Sequence, residues 1–200
     1  WHEFGEREVR HLVFIGGSAH APNRDGVVFF ATHLWPAIRR RHPKVRLKII
    51  GEWSIDAREE VGDDPNIDFL GLCSEDQVKH QCKQGDIGIA PLRFGAGIKR
   101  KILDYWSLGL SVCSTPQGIS GFPRPLPEEG LHVAQLEQWG QLLCEQLASR
   151  HSPLKAPELY LSKHYGLQAG KDCWNAVVLA ALAQRQRRQN ASLSYSLESS

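Results

Sequence analysis

The chain has 200 residues, 42% hydrophobic and 23% charged, with a formal net charge of +2, the balance of a globular protein that fills one α/β-sized domain. So small a net charge gives no reason to expect nucleic acid as a partner. No apolar run approaches the ~20 residues needed to span a bilayer.

Trp1 to Arg10 are charged and polar, which does not read as a signal peptide, and the absence of methionine reads as a fragment of a longer chain. His11–Gly17 is the first of five short apolar runs; Val45–Gly51, Ile67–Gly71, Asp86–Pro91 and Ser111–Pro116 follow. Each is rich in Val, Ile, Leu or Phe and most end at Gly or Pro, as buried parallel strands do. Between them the pattern is helical. From Asp25 onward Val27, Phe30, Leu34 and Ile38 form one apolar stripe, which Pro36 kinks or restarts. Ser74-Glu75-Asp76-Gln77 is a capping box that opens a helix to about Gln84. Ile98 to Leu108 is a further helix, and Gly109 ends it.

After Pro116 the alternation loosens. Gly118–Gly130 reads as loop, His132–Ala134 as a short edge strand, Leu136–Arg150 as an amphipathic helix, and Ser152–Pro157 as a break. Leu167–Gln189 reads as a last long helix, and Gln184–Ser200 as a disordered tail, so that residues 1–183 form one domain. The five cysteines (Cys73, Cys82, Cys113, Cys144 and Cys173) have no metal-binding spacing and read as reduced thiols of a cytoplasmic protein. The sequon at Asn190 falls in that tail and reads as chance.

Strand and helix in regular alternation with short loops predict α/β architecture: a doubly wound, Rossmann-like parallel sheet with right-handed crossovers. Ligands of such sheets sit beyond the carboxyl ends of the strands. That points to the loops Gly16–Arg24, Gly51–Ile55, Gly71–Cys73 and Pro91–Gly97.

The richest of these loops is Phe94-Gly95-Ala96-Gly97-Ile98, with Lys99, Arg100 and Lys101 placed in the first helical turn behind it. Cations at the positive end of a helix are unfavourable unless an anion sits among them. Glycines that admit close approach, free N–H groups and two or three cations make a phosphate site. Asp104, one turn on, can accept hydrogen bonds from ribose hydroxyls. The bland alternative is a solvated basic face. Gly16-Gly17-Ser18 likewise lets backbone approach a ligand, although a tight turn with Asn23 or Asp25 as helix cap accounts for it equally well. There is no GxGxxG, and Glu52 alone is a weak ribose signal. His20 reads as a solvent-facing loop residue and Trp106 as packed. Trp53 lies near the crevice, where it could touch base or sugar.

Read in order, Gly-Gly-Ser-Ala-His-Ala-Pro-Asn-Arg-Asp-Gly, Val-Arg-Leu-Lys-Ile-Ile-Gly, Ile-Asp-Phe-Leu-Gly, Ile-Ala-Pro-Leu-Arg-Phe-Gly-Ala-Gly-Ile-Lys-Arg-Lys and Leu-Gly-Leu-Ser-Val-Cys-Ser-Thr-Pro-Gln-Gly resemble the C-terminal, donor-binding domain of the retaining GT-B glycosyltransferases of the large group-1 family. The resemblance runs from about Leu12 to Phe122. It implies a nucleoside-diphosphate sugar as donor, with Gly16, Gly17 and Ser18 facing the diphosphate and the Gly71–Cys73 loop, hence Leu72, beside the base. Lys99 and Asp104 would reach phosphate and ribose as the catalytic pair. Phe94, Gly95, Ala96, Gly97, Ile98 and Lys101 would complete the donor cradle. No metal or other cofactor is implied. The partner implied is an N-terminal acceptor-binding half, to which any peripheral membrane association would belong, and without which the fragment is inactive.

Two departures stand out. The first of the family's paired glutamates falls on Ala96, with Asp104 at the second. Of its Arg and Lys pair after the first strand, only Arg24 is near. Two other readings share the architecture: a non-catalytic nucleotide-binding or receiver-like domain, for which the acidic pair after the first strand is missing, and half of a GT-B sugar-nucleotide epimerase.

Overall fold

The computed structural model describes residues 11–82, 86–149 and 155–171. The chain divides into two compact units, Trp1–Glu158 and Leu159–Ser200; every strand described below lies in the first. The five apolar runs form β1 (Leu12–Ile15), β2 (Leu47–Ile50), β3 (Ile67–Gly71), β4 (Ile87–Ala90) and β5 (Ser111–Ser114), and Leu131–Val133 forms β6. All six pair in parallel, in the order β3-β2-β1-β4-β5-β6, so the doubly wound sheet predicted from the alternation is the sheet observed. β2, β4 and β5 are buried along their whole length. β3 is only half-buried, because it is an edge strand, a position that its apolar composition does not reveal.

The helices follow the sequence signals with shifted ends. α1 (Ala21–Phe29) begins four residues before Asp25, since Pro22 is tolerated in a first turn where an N–H has no partner. A π-helical turn (Phe30–Leu34) follows, and α2 (Trp35–Arg41) restarts with Pro36 in its first turn. α3 (Ile55–Val61) precedes β3. α4 (Glu75–Gln81) carries both hydrogen bonds of the Ser74/Gln77 capping box. α5 (Arg100–Ser107) follows β4, and a 3-10 turn (Leu136–Gln138) leads into α6 (Trp139–Ala148). α7 (Lys155–Tyr165) takes in Pro157, where the sequence suggested a break. Residues 167–171 are helical; the rest of the expected last helix and the Gln184–Ser200 tail lie outside the described residues.

Leu12 and Phe14, Leu47 and Ile49, and Ile87 and Ile89 point from one face of the sheet into a single cluster with Val27, Phe30, Trp35, Ile38 and Trp139. Phe30 and Trp139 meet edge to face at 6.1 Å. Each buried aromatic contributes several kcal/mol of apolar burial, so this face ties α1, α2 and α6 to the sheet. On the other face α5 is seated by Tyr105. A Cβ on Gly88 would lie 2.4 Å from the Tyr105 ring, so the ring reaches the sheet only because Gly88 has no side chain. The Tyr105 hydroxyl accepts from Ile15 N–H at 2.9 Å and donates to the Ile89 carbonyl at 3.0 Å. That pair of hydrogen bonds, one to β1 and one to β4, fixes α5 over the junction of those strands. Cys82, Cys113 and Cys144 are buried thiols and Cys73 is half-buried, all unpaired; Cys173 lies outside the described residues. No helix among the described residues is long and apolar enough to cross a membrane.

Candidate functional site

β1 and β4 are neighbours from which the chain departs in opposite directions along the sheet, β1 toward β2 and β4 toward β5. A crevice opens at such a switch point, between the loops that follow the two strands. Here those loops are Gly16–His20 and Pro91–Lys99.

The first loop is a clamped turn. Gly16 has φ +146°, where only glycine is comfortable, and its N–H donates to Ile50 O at 2.8 Å. Trp53 Nε1 donates to Gly16 O at 2.8 Å. Asn23 Nδ2 donates to Gly17 O at 3.0 Å, and Ser18 N–H to Glu52 O at 2.9 Å. Ser18 Oγ accepts from Ser54 N–H at 3.0 Å. Trp53 is 3% exposed and packs against Phe14 and Phe69. Its indole is spent on shaping the turn, which leaves no face for a base or a sugar. Asn23 and Asp25 cap nothing. The Asn23 side chain turns to the glycine loop, and Asp25 pairs with Arg93.

The second loop corrects the predicted helix start. Gly97 is left-handed (φ +71°) and Lys99 is extended, so α5 begins at Arg100 and not near Ile98. Lys99 is therefore the N-cap residue, and only Arg100 and Lys101 stand in the first turn. Lys99 is 8% exposed; Nζ donates to Gly97 O at 2.6 Å and to Ser120 Oγ at 3.5 Å. Gln117 donates to Gly95 O, and Thr115 Oγ1 to Leu92 O at 2.5 Å. The segment after β5 thus holds this loop from below. Phe94, Ala96 and Ile98 remain exposed around it.

Lys101 joins the two loops. From the first turn of α5 its Nζ donates to Asn23 Oδ1 at 2.6 Å and lies 4.0 Å from the centre of the Phe14 ring. Burial, and then the neighbouring Lys99, push it down to about 7. Burial also lowers Lys99. Asp104 faces Arg100 at 3.8 Å, and burial raises its carboxyl against that cation. Two desolvated lysines and the positive end of α5, with no carboxylate paired to either lysine among the described residues, make a region that an anion would stabilise.

The structure therefore brings Gly16, Gly17 and Lys101 together, with Gly95 close to the Lys99 stem. It does not bring Leu72 to them. Leu72 is 78% exposed beyond β3, two strands away from β1. Arg24 is also elsewhere, held on α3 by Asp56 at 2.7 Å and by Glu60 at 2.7 Å. His20 is exposed, and Trp106 packs against Phe122. Sequence reasoning missed Gln117 and Ser54, and it read Asn23 only as a helix cap. Among the described residues, no three His, Cys, Asp or Glu side chains gather as metal ligands. An open groove between α2 and α6, lined by Arg40, Arg41, Gln141 and Glu145, lies where α2 runs toward the start of β2, at the opposite end of the strands from the crevice.

A family model described as glycosyl transferases group 1 matches residues 9–148, well over half of the 200-residue chain. No curated protein matches it. Among solved structures, the C-terminal domain of the glycosyl transferase group 1 family protein LpcC from Francisella tularensis is similar with a TM-score of 0.58 and 14% identity, over 78% of this chain and 87% of that one. The apo form of the lipopolysaccharide outer core galactosyltransferase WaaB gives 0.55 and 13%, over 88% and 51%. WaaG, a glycosyltransferase involved in lipopolysaccharide biosynthesis, gives 0.50 and 15%, over 80% and 48%. The chain spans about half the length of these last two. At such identities the likeness is one of fold, the Rossmann-like half of a GT-B architecture.

Proposed function

We propose that this chain, which belongs to the group 1 glycosyl transferases, is the donor-binding half of a two-domain enzyme and holds the diphosphate of a nucleoside-diphosphate sugar in the β1/β4 crevice. One observation carries the reading: the clamped Gly16–Ser18 turn and the basic start of α5 meet at the switch point of the sheet, bridged by Lys101. The backbone at Gly16, Gly17 and Ser18 approaches the diphosphate from one side. Lys99 and Lys101 approach from the other, with Phe94, Gly95, Ala96, Gly97 and Ile98 forming the lip between them. Asp104 is assigned to the ribose hydroxyls and Leu72 to the outer flank of the base.

Transfer with retention of configuration leaves a nucleoside diphosphate behind, and its developing charge is met by two lysines and the helix N-terminus, the role that a metal ion plays in other transferases. The acceptor is supplied across the cleft by an N-terminal half, and closure of the halves excludes water and aligns the reacting atoms. The unpaired thiols favour a reducing compartment, and we assign the domain to the cytoplasm.

Thermal melts of the chain with UDP-, GDP- and ADP-sugars test the reading. A ligand at 100 times its dissociation constant adds about 2.7 kcal/mol. One base should stabilise the chain, and the chain alone should transfer no sugar. Absence of any shift at millimolar ligand, or transfer by the isolated chain, overturns it.

A further inference from the structure

Asn23 links the two loops of the crevice, and neither helix capping nor core packing accounts for its contacts. It sits in the first turn of α1, only 8% exposed. One end of its amide donates to Gly17 O at 3.0 Å and the other accepts from Lys101 Nζ at 2.6 Å, across 78 residues of sequence. Gly16 closes the arrangement. A Cβ there would lie 2.6 Å from Asn23 Nδ2 and 3.3 Å from Lys101 Nζ, so turn, amide and ammonium interlock with no room for a side chain.

We infer that Asn23 is a positioning residue for the donor diphosphate, holding the Lys101 ammonium beside the Gly16–Gly17 turn before any ligand arrives. The inference rests on the donor reading above. A lysine has four rotatable bonds and is a poor anion receptor until something fixes it; ordering it in the empty protein removes that cost from binding. The amide is suited to the task because it carries both a donor and an acceptor and has no charge. A carboxylate in its place would neutralise the ammonium, repel the diphosphate and face the Gly17 carbonyl without a proton. The charged group that acts on Lys101 from the start of its helix is the N-cap residue, Lys99. From α1 the contact is neutral Asn23, with Asp25 engaged by Arg93, and from β1 it is Phe14.

Calorimetric titration with inorganic pyrophosphate, and with UDP, GDP and ADP, tests this on the wild-type chain, Lys101→Met, Asn23→Ala and the double variant. Lys101→Met should weaken pyrophosphate binding on the order of tenfold or more, the worth of a charge-assisted hydrogen bond. Asn23→Ala should weaken it several-fold in the wild-type background and leave it unchanged in the Lys101→Met background, because the residue acts through Lys101. Equal losses in both backgrounds overturn the positioning role and leave the donor reading standing. Undiminished binding by Lys101→Met, or no binding of any of the four ligands to the wild-type chain, overturns the donor reading itself. Asn23→Asp preserves the shape of the side chain and serves where Asn23→Ala does not fold. With the Lys101→Met profile subtracted to remove the ligand's own ionisation, Asn23→Asp should move the fall in pyrophosphate affinity to higher pH than in wild type, and an unmoved profile refutes the coupling.

Discussion

Lys101→Met takes away the ammonium that lies 4.0 Å from the centre of the Phe14 ring and leaves an unbranched, uncharged side chain one atom shorter, so it reports the electrostatic cost of the empty site. In the folded chain Lys101 lies at about 7, against an ordinary value of 10.5. Between those values the unfolded chain binds more protons than the folded one, and the stability of the unliganded domain rises with pH. Each pH unit is worth up to about 1.4 kcal/mol per proton. From pH 7 to 8.5, with the group half-titrated at the start, the gain is about 1.6 kcal/mol, or roughly 3–6 °C in Tm for a chain of this length. Below pH 7 both states carry the charge and the burial cost is felt in full. The hydrogen bond to Asn23 that Met lacks is a constant offset, so the slope is the signal. Burial pushes the Cys82 and Cys113 thiols up to about 11 and 12, and these act in the opposite sense above about pH 9, where unfolded thiols release protons first. Both proteins share them, and they cancel in the difference. Thermal melts between pH 6.5 and 8.5 decide the matter. Wild type should gain on the variant as pH rises, and parallel curves would refute a desolvated cation at this position.

At pH 8 a diphosphate bound beside Lys101 should draw a proton onto it; calorimetry in buffers of differing ionisation enthalpy should show more proton uptake in wild type than in Lys101→Met. Gly88→Ala should cost about 3 kcal/mol in denaturant unfolding, because the added methyl group meets the Tyr105 ring and the buried ring cannot retreat. Arg24→Ala should leave pyrophosphate affinity unchanged by titration, since Asp56 and Glu60 hold that guanidinium on α3; a tenfold loss would show that Arg24 reaches the ligand.

The fold was legible because its determinants are local. Five apolar runs bounded by Gly or Pro, a capping box at Ser74 and a proline at position 36 each act within a few residues. Where the reading slipped, a longer-range or conformational fact was responsible. The Lys99 position illustrates this. The basic run reads as a helical first turn, but Gly97 in the left-handed region and Gln117, reaching Gly95 from the segment after β5, keep the chain extended until Arg100. β3 has the composition of a central strand and the place of an edge strand. Its place depends on the strand order, which apolar content does not encode.

The crevice was legible as a place and only partly as a mechanism. Glycines after β1, and glycines with cations after β4, mark the two loops. Gly88, a lone glycine inside a strand, was a readable sign that something approaches the sheet closely, and Tyr105 is what approaches. Nothing in Pro22-Asn23 signals that the amide faces away from its own helix. A side chain whose partners are Gly17 and Lys101 gets its role from the meeting of two loops, which exists only once β1 and β4 lie side by side. Lys99 and Lys101 separate for the same reason. Two positions apart in sequence, they look alike, yet Lys99 closes on its own loop at Gly97 while Lys101 crosses to Asn23. The loop-bound lysine gives the cradle its shape. The bridging one, desolvated and close to losing its proton, is the group whose charge a diphosphate would restore.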